Sequence, residues 1–417
     1  MRAVERRVVI TGAGVVSSLG DSPATLHRAL CEGRTGLRPI ELFSTEGLGC
    51  HLGGEITSFS ARGYLGEKNL RPLDRTSQLV AATAQMALDD SGWSLEMRAS
   101  QEVGLVLGTM FCSVRTISQF DCRALVAGPA YASPMDFSNT VINAAAGQTA
   151  IWHNLRGVNS TIAAGSTSGL QAIAYATELI RSGRAKAILA GGADEMCFES
   201  FYGFNRAELL CGSNHSSGDF PIPFHKRRNG FALGEGAALL MLEDAEAAAE
   251  RGAAVLAEIR GHGSGYDPSR GGESNKSIRS IARAIRLALE DALVTTEEID
   301  CLSMSANGSV SADRHEALAV AAVFGELAGT LPVTAVKSML GETLGASGPM
   351  QAISMIEAMR DGTLPGISRL DEIEDDFPLR NAGVDSRTLD QSIGLINSVG
   401  YDGSCCSVVL TSCDQGV

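Results

Sequence analysis

The sequence predicts an α/β protein of two similar halves, each a sheet covered by helices. Three observations lead there. Short apolar runs alternate with helix-period runs along the chain, the pattern of strands joined through crossing helices. Apolar residues make up 44%, charged residues 20% and aromatics 5%, with 47 glycines. That is a globular composition, suited to tightly packed helices. The order of elements from about residue 254 onward repeats, in coarse outline, the order before it. No internal sequence repeat is visible by eye, and no low-complexity tract or long linker separates the halves. The boundary is placed between 1–253 and 254–417.

In chain order, Val8-Val9-Ile10 is a strand and Gly12-Ala13-Gly14 a tight turn after it. Ser17 stands where a dinucleotide-binding G-x-G-x-x-G needs its third glycine, so the turn is not read as a nucleotide site. Ser77 to Ser91 is an Ala-rich helix. Val103–Leu107 is a buried strand closed by Gly108, and Ala187–Ala190 another, closed by Gly191-Gly192. Ala237–Leu242 is a third, followed by an acidic helix from Glu243 to Arg251. In the second half, Val255–Ile259 is a strand, and Ser277 to Leu293 a helix with Ile278, Ile281, Ile285 and Leu289 on one face. Cys301–Met304, Val333–Val336, Ser392–Ile396 and Ser407–Leu410 complete the strands.

The stretch Ser160-Thr-Ile-Ala-Ala-Gly-Ser166-Thr-Ser-Gly-Leu170 reads as a strand end, a sharp turn and a helix starting near Ser166. Leu170, Ile173, Ala174 and Ile180 give that helix its period, and Gly183 ends it. A hydroxyl residue at a helix start ordinarily caps an orphan amide. The same geometry also presents a nucleophile under a positive helix end.

The formal net charge of -14 speaks against non-specific nucleic-acid or anionic-membrane binding. Two small basic clusters, Arg181/Arg184/Lys186 and Lys226/Arg227/Arg228, read first as solvated surface. The ten cysteines are scattered apart from Cys405-Cys406, with no C-x-x-C pair, so reduced thiols are expected. The seven histidines form no metal-ligand cluster. No signal peptide and no apolar span of about 20 residues is seen, and the expectation is a cytoplasmic protein.

The Ser166 stretch resembles the nucleophile turn of β-ketoacyl-[acyl carrier protein] synthases, which reads T-A-C-[ST]-S-G. Aligned on Thr167-Ser168-Gly169, the family's catalytic cysteine falls on Ser166. The resemblance runs through the chain. Arg7-Val-Val-Ile-Thr-Gly-Ala-Gly-Val-Val-Ser is similar to the first strand and turn. Pro223–Phe231 with Gly234-Glu-Gly-Ala237 is similar to the R-P-F-D…GEGA block, Val336–Gly341 to the K-S-x-x-G-H turn, and Asn397–Gly403 to the N-S-F-G-F-G-G loop. The resemblance implies a thiolase-like five-layer α-β-α-β-α sandwich of two related halves, working as a dimer.

What the resemblance implies for the site is a loss. The family condenses with a cysteine and two histidines. Here those positions carry Ser166, Asn307 (in Ala306-Asn307-Gly308-Ser309) and Glu342, while the family lysine is kept as Lys337 and a family glutamate becomes Gln351. A serine without a base is a poor nucleophile, and a hydroxyl lacks the acidity of a thiol. Asn307 retains oxyanion-donor chemistry. An ionised Glu342 repels a developing enolate, and Lys337 is expected to pair with it and keep it charged. Met110, Phe111 and Cys112 fall where family members approach the acyl tunnel, with ordinary core as the equal alternative. Tyr401 and Asp402 replace Phe and Gly in the loop that gates the pocket.

Three functions follow from the resemblance. The first is a non-condensing subunit, resembling the chain length factors of type II polyketide synthases, paired with an active ketosynthase. The second is a malonyl-[acyl carrier protein] decarboxylase with Ser for Cys, acting as a homodimer. The third is a ketosynthase using Ser166 as a slow acyl acceptor. No cofactor or metal is implied. Acyl groups would arrive on the phosphopantetheine arm of acyl carrier protein, a partner in every reading.

Overall fold

The computed structural model describes residues 6–213, 221–270, 272–375, 377–389 and 393–413. Its frame is a β-α-β-α-β-α-β-β series run twice. The first run is β1 (Val8–Val16), α1 (Arg75–Asp90), β2 (Val103–Gly108), α2 (Ala144–His153), β3 (Asn159–Ile162), α3 (Ser168–Arg181), β4 (Ala187–Asp194) and β5 (Gly236–Asp244). The second is β6 (Ala257–Tyr266), α4 (Ser274–Ala292), β7 (Cys301–Ser303), α5 (Val310–Phe324), β8 (Val333–Thr334), α6 (Ser347–Asp361), β9 (Ile393–Val399) and β10 (Ser404–Ser412).

The strands lie in the order β3-β2-β4-β5-β1 and, in the second half, β8-β7-β9-β10-β6. The directions match as well: parallel between β3, β2 and β4, antiparallel through β5 to β1, with the same series from β8 to β6. The halves join where β1 and β6 pair antiparallel over Val8–Ile10 and Ala257–Ile259. Helices α1 and α2 cover the outer face of the first half, and α4 and α5 that of the second. Helices α3 and α6 pack on each other between the two. Every residue of α6 from Ser347 to Ala358 is buried, as a helix sandwiched between two sheets requires. This is the expected five-layer sandwich.

Two glycine pairs correct the sequence reading. Gly12 and Gly14 lie inside β1, not in a turn after it. A Cβ on Gly14 would sit 2.2 Å from the Thr83 carbonyl oxygen, and one on Gly12 2.6 Å from that of Ala87, so these glycines let α1 lie on the strand's backbone. The second half does the same with Gly261 and Gly263 of β6 against α4 (2.3 Å to Ala292 N and 2.2 Å to Ala284 O). The register slips between Ile10 and Gly12 in β1, and opposite the step from Ile259 to Gly261 in β6. An internal repeat therefore exists, as Ile-x-Gly-x-Gly at 10–14 and at 259–263.

Other boundaries move for local reasons. Gly191 and Gly192 do not close β4 but lie within it; a Cβ on Gly192 would meet the Gly345 carbonyl oxygen at 2.0 Å. The helix expected from Glu243 begins at Ala245, because Glu243 and Asp244 finish β5 and Asp244 caps it. Strand β8 ends at Thr334, and Lys337–Leu340 form a short helix. Ser392 lies outside the described residues. Arg181 and Arg228 are not solvated: Arg181 pairs with Asp291, and Arg228 is buried against Glu374.

Candidate functional site

The site forms where the turn before α3 meets two turns of the second half. Strand β3 ends at Ile162, and Gly165, at φ 57°, reverses the chain into α3. Ser166 is not the cap. Thr167 holds the N-cap position without a side-chain capping bond, and the helix starts at Ser168. The fully buried Ser166 donates from Oγ to the Val399 carbonyl at 3.3 Å. Its neighbours hold the turn: Thr167 Oγ1 donates to the Ala164 carbonyl at 2.8 Å, and Ser168 Oγ accepts from Ala164 N at 2.8 Å. No histidine or carboxylate contacts Ser166 Oγ among the described residues, so nothing there takes its proton.

The C-terminal hairpin tip clamps this turn. Ser404 Oγ donates to Asp402 Oδ1 at 2.6 Å and lies 2.9 Å from Thr167 Oγ1 and 3.1 Å from the Ala164 carbonyl oxygen. Asp402 lies against Gly165, where a Cβ would sit 2.6 Å from Oδ1. Asp402 thus braces the hairpin and fills the space over the turn.

Across from Ser166 is a closed polar knot. The carboxylate of Glu342, fully buried, has both oxygens doubly engaged. Oε2 accepts from Lys337 Nζ and from Asn307 Nδ2, each at 2.8 Å. Oε1 accepts from Ser347 Oγ at 2.7 Å and from Leu344 N at 3.1 Å. Lys337, 2% exposed, also donates to Ser305 Oγ at 3.2 Å. The expected Lys337–Glu342 pair is present. Asn307 Nδ2 donates further to the Tyr401 hydroxyl, and Asn307 Oδ1 accepts from Ser309 N at 3.1 Å. The Tyr401 ring stacks on Phe231, with centroids 5.1 Å apart. Burial, then the neighbouring Glu342 charge, pushes the Tyr401 phenol well above its ordinary value, so it stays neutral.

The three tunnel candidates separate. Met110 and Phe111 are half-buried and pack, with Tyr401, on a cluster that includes Phe204, Phe231 and Leu344. Cys112 belongs instead to the core of the first half, among Leu79, Leu105 and Ala145, and burial lifts its thiol to about 12. Gln351 is fully buried, and its Nε2 donates to the carbonyls of Met304 (3.0 Å) and Asn397 (3.2 Å).

Sequence reasoning missed three acids. Asp194, at the end of β4, accepts from Thr109 Oγ1 and from the amides of Met110, Phe111, Cys112 and Gly345, at 2.8–3.0 Å. It ties the candidate tunnel segment to the Glu342 turn, and burial raises its pKa despite those donors. Asp313 accepts from the amides of Asn307 and Gly308, both at 3.1 Å, and Glu316 from Ser305 N at 2.8 Å. Burial lifts Asp313 to about 6 and Glu316 to about 7. The signal was the run Asp313-x-x-Glu316, three residues apart on one face of α5. A cavity of about 220 Å³ adjoins them, reaching Asn307 and Tyr401 on one side and Asp267 and His315 on the other.

The first half matches the Beta-ketoacyl synthase N-terminal domain over residues 5–248, and the second matches the C-terminal domain over 256–371. The chain belongs to the β-ketoacyl synthase family. It is similar to 3-oxoacyl-[acyl-carrier-protein] synthase 2 of Coxiella burnetii, 30% identical across 98% of this chain and 99% of that one. It is also 30% identical to the granaticin polyketide putative beta-ketoacyl synthase 1 of Streptomyces violaceoruber, over 88% of each chain. Among solved structures, the ishigamide ketosynthase/chain length factor aligns with a TM-score of 0.90 and 32% identity, covering 98% of this chain and all of that one. No described helix is long and apolar enough to cross a membrane.

Proposed function

We propose that this β-ketoacyl synthase family member is a non-condensing subunit, a chain length factor that pairs with an active ketosynthase on acyl carrier protein. One observation carries the reading. The donors that would stabilise an oxyanion, Asn307 Nδ2 and Lys337 Nζ, are both spent on the Glu342 carboxylate. A preorganised hole accelerates chemistry only if its donors face the developing charge. Here a fixed negative charge lies there already, opposite a serine with no base.

The surface supports a protein partner. Among the described residues strand β3 pairs with β2 alone and is an open sheet edge. Leu125 (85% exposed), Val126 (83%), Ile151 (80%) and Phe137 (62%) are large apolar side chains left uncovered. A ketosynthase subunit presenting the matching face fits this surface, and the likeness to the ishigamide ketosynthase/chain length factor agrees with it. The spent donors weigh equally against a malonyl decarboxylase, which needs its enolate stabilised.

The test is the mass of malonyl-loaded carrier protein. Incubated with this protein alone, the carrier should keep its malonyl group. With a co-expressed ketosynthase, condensation should appear and Ser166→Ala should leave it intact. Rapid conversion of malonyl to acetyl by the protein alone, lost in Asn307→Ala, would establish the decarboxylase instead.

A further inference from the structure

Cys50 precedes the short strand Leu52–Gly54, and Cys211 sits in the turn after the helix Phe198–Arg206. They are 161 residues apart in sequence, yet their sulfurs are 3.7 Å apart, both buried. Backbone contacts hold the two segments side by side. A Cβ on Gly49 would lie 2.6 Å from the Gly212 carbonyl oxygen. Cys50 N donates to Asn205 Oδ1 at 3.3 Å, and Cys211 N to the Phe231 carbonyl at 2.9 Å. A disulfide needs about 2.05 Å between sulfurs, so closure is a small side-chain adjustment within segments already adjacent.

We propose that Cys50 and Cys211 are a redox-sensitive pair that hydrogen peroxide converts to a reversible disulfide. One thiolate attacks a peroxide oxygen and the O–O bond breaks, leaving a sulfenic acid and a hydroxide that takes up a proton. The second sulfur, giving up its proton, attacks the sulfenic sulfur. The S–S bond forms, the S–O bond breaks, and a second water leaves. Two thiols are oxidised by two electrons, and one peroxide is reduced to two waters. The adjoining segment 44–51 is the pair's nearest outer stretch in sequence, with Ser44, Glu46, Gly47 and His51 exposed.

The consequence follows from the surroundings. Both sulfurs belong to the cluster of Phe204, Phe231 and Leu344, on which Met110, Phe111 and Tyr401 pack. A bond there pins the cluster's outer wall to residue 50. Cross-linking residues so distant in sequence restricts the unfolded chain and raises stability. The inference stands on the sulfur geometry alone and is independent of the proposed subunit role.

The experiment treats the full-length native protein with hydrogen peroxide, alkylates it, and maps disulfide-linked peptides by mass. We expect a 50–211 cross-link, reversed by dithiothreitol, with a thermal midpoint several degrees higher. Cys50→Ala and Cys211→Ala should each lose the cross-link and the rise. If one variant does not fold, the wild-type peptide map and the other variant decide. The proposal is overturned if peroxide consumes the exposed Cys122 while both buried thiols remain alkylatable. It is equally overturned if the bond forms only in urea, or if the midpoint rises as much in Cys50→Ala.

Discussion

The two halves share one topology and divide the site unequally. In the first, the path from β3 into α3 is direct, and its turn is built from neutral hydroxyls: Ser166, Thr167 and Ser168. In the second, the path from β8 into α6 is lengthened by the helix Lys337–Leu340 and the 341–346 turn, which bring a lysine and a glutamate into the interior. Equivalent frames thus place a weakly held hydroxyl on one side and an ion pair on the other. Fold symmetry fixes where a side chain arrives. Its chemistry is set by the local detour.

Glu342→Leu should break this contrast most severely. It strands the buried Lys337 ammonium, and losing one partner of a buried pair costs about 3–5 kcal/mol. Urea unfolding measures it; a loss under 1 kcal/mol would mean that Lys337 finds another partner. Gly14→Ala and Gly263→Ala test the symmetric part. Each forces a methyl into a helix backbone, and each should cost about 1–3 kcal/mol by the same measurement. A large asymmetry would show that the two strand–helix contacts are not equivalent.

A pH series separates the halves more gently. Burial lifts Glu195 in the first half to about 8 and Glu316 in the second to about 7, from ordinary values near 4.5. Between pH 4.5 and those values the folded chain holds more protons than the unfolded one, so stability falls as pH rises through the window. Glu195→Gln should flatten the upper part of that fall, between pH 7 and 8, by on the order of 1 kcal/mol. Urea midpoints from pH 5 to 8.5 would reveal it, and an unchanged slope would refute the assignment. Ser166→Ala should do least. It removes one 3.3 Å hydrogen bond, worth about 1 kcal/mol or less, and under the proposed subunit role should leave condensation by a co-expressed ketosynthase untouched.

The alternation of apolar and helix-period runs was enough to read the α/β class and the doubled element order. The repeat Ile10-x-Gly12-x-Gly14 and Ile259-x-Gly261-x-Gly263 was present but unread, because a glycine after an apolar run looks the same whether it bends the chain or admits a helix. Only the position of α1 and α4 tells these apart. In the site, Ser166, Asn307, Lys337 and Glu342 were found by motif, and the Lys337–Glu342 pair by charge. Asp194 was not, since its role depends on amides from two distant turns that no local spacing announces. Cys112 looked like its neighbours Met110 and Phe111 until its φ of 52° turned it away from them into the core.

The Glu342 carboxylate also has a meaning in terms of competition. It is a ligand covalently tethered to its own receptor, with all four of its hydrogen bonds made inside the fold. A tethered ligand acts at an effective concentration set by geometry rather than supply, commonly in the millimolar range or above for flexible tethers. A short rigid turn exceeds that. The Asn307 and Lys337 donors therefore stay engaged inside the fold, and their dipoles serve the architecture.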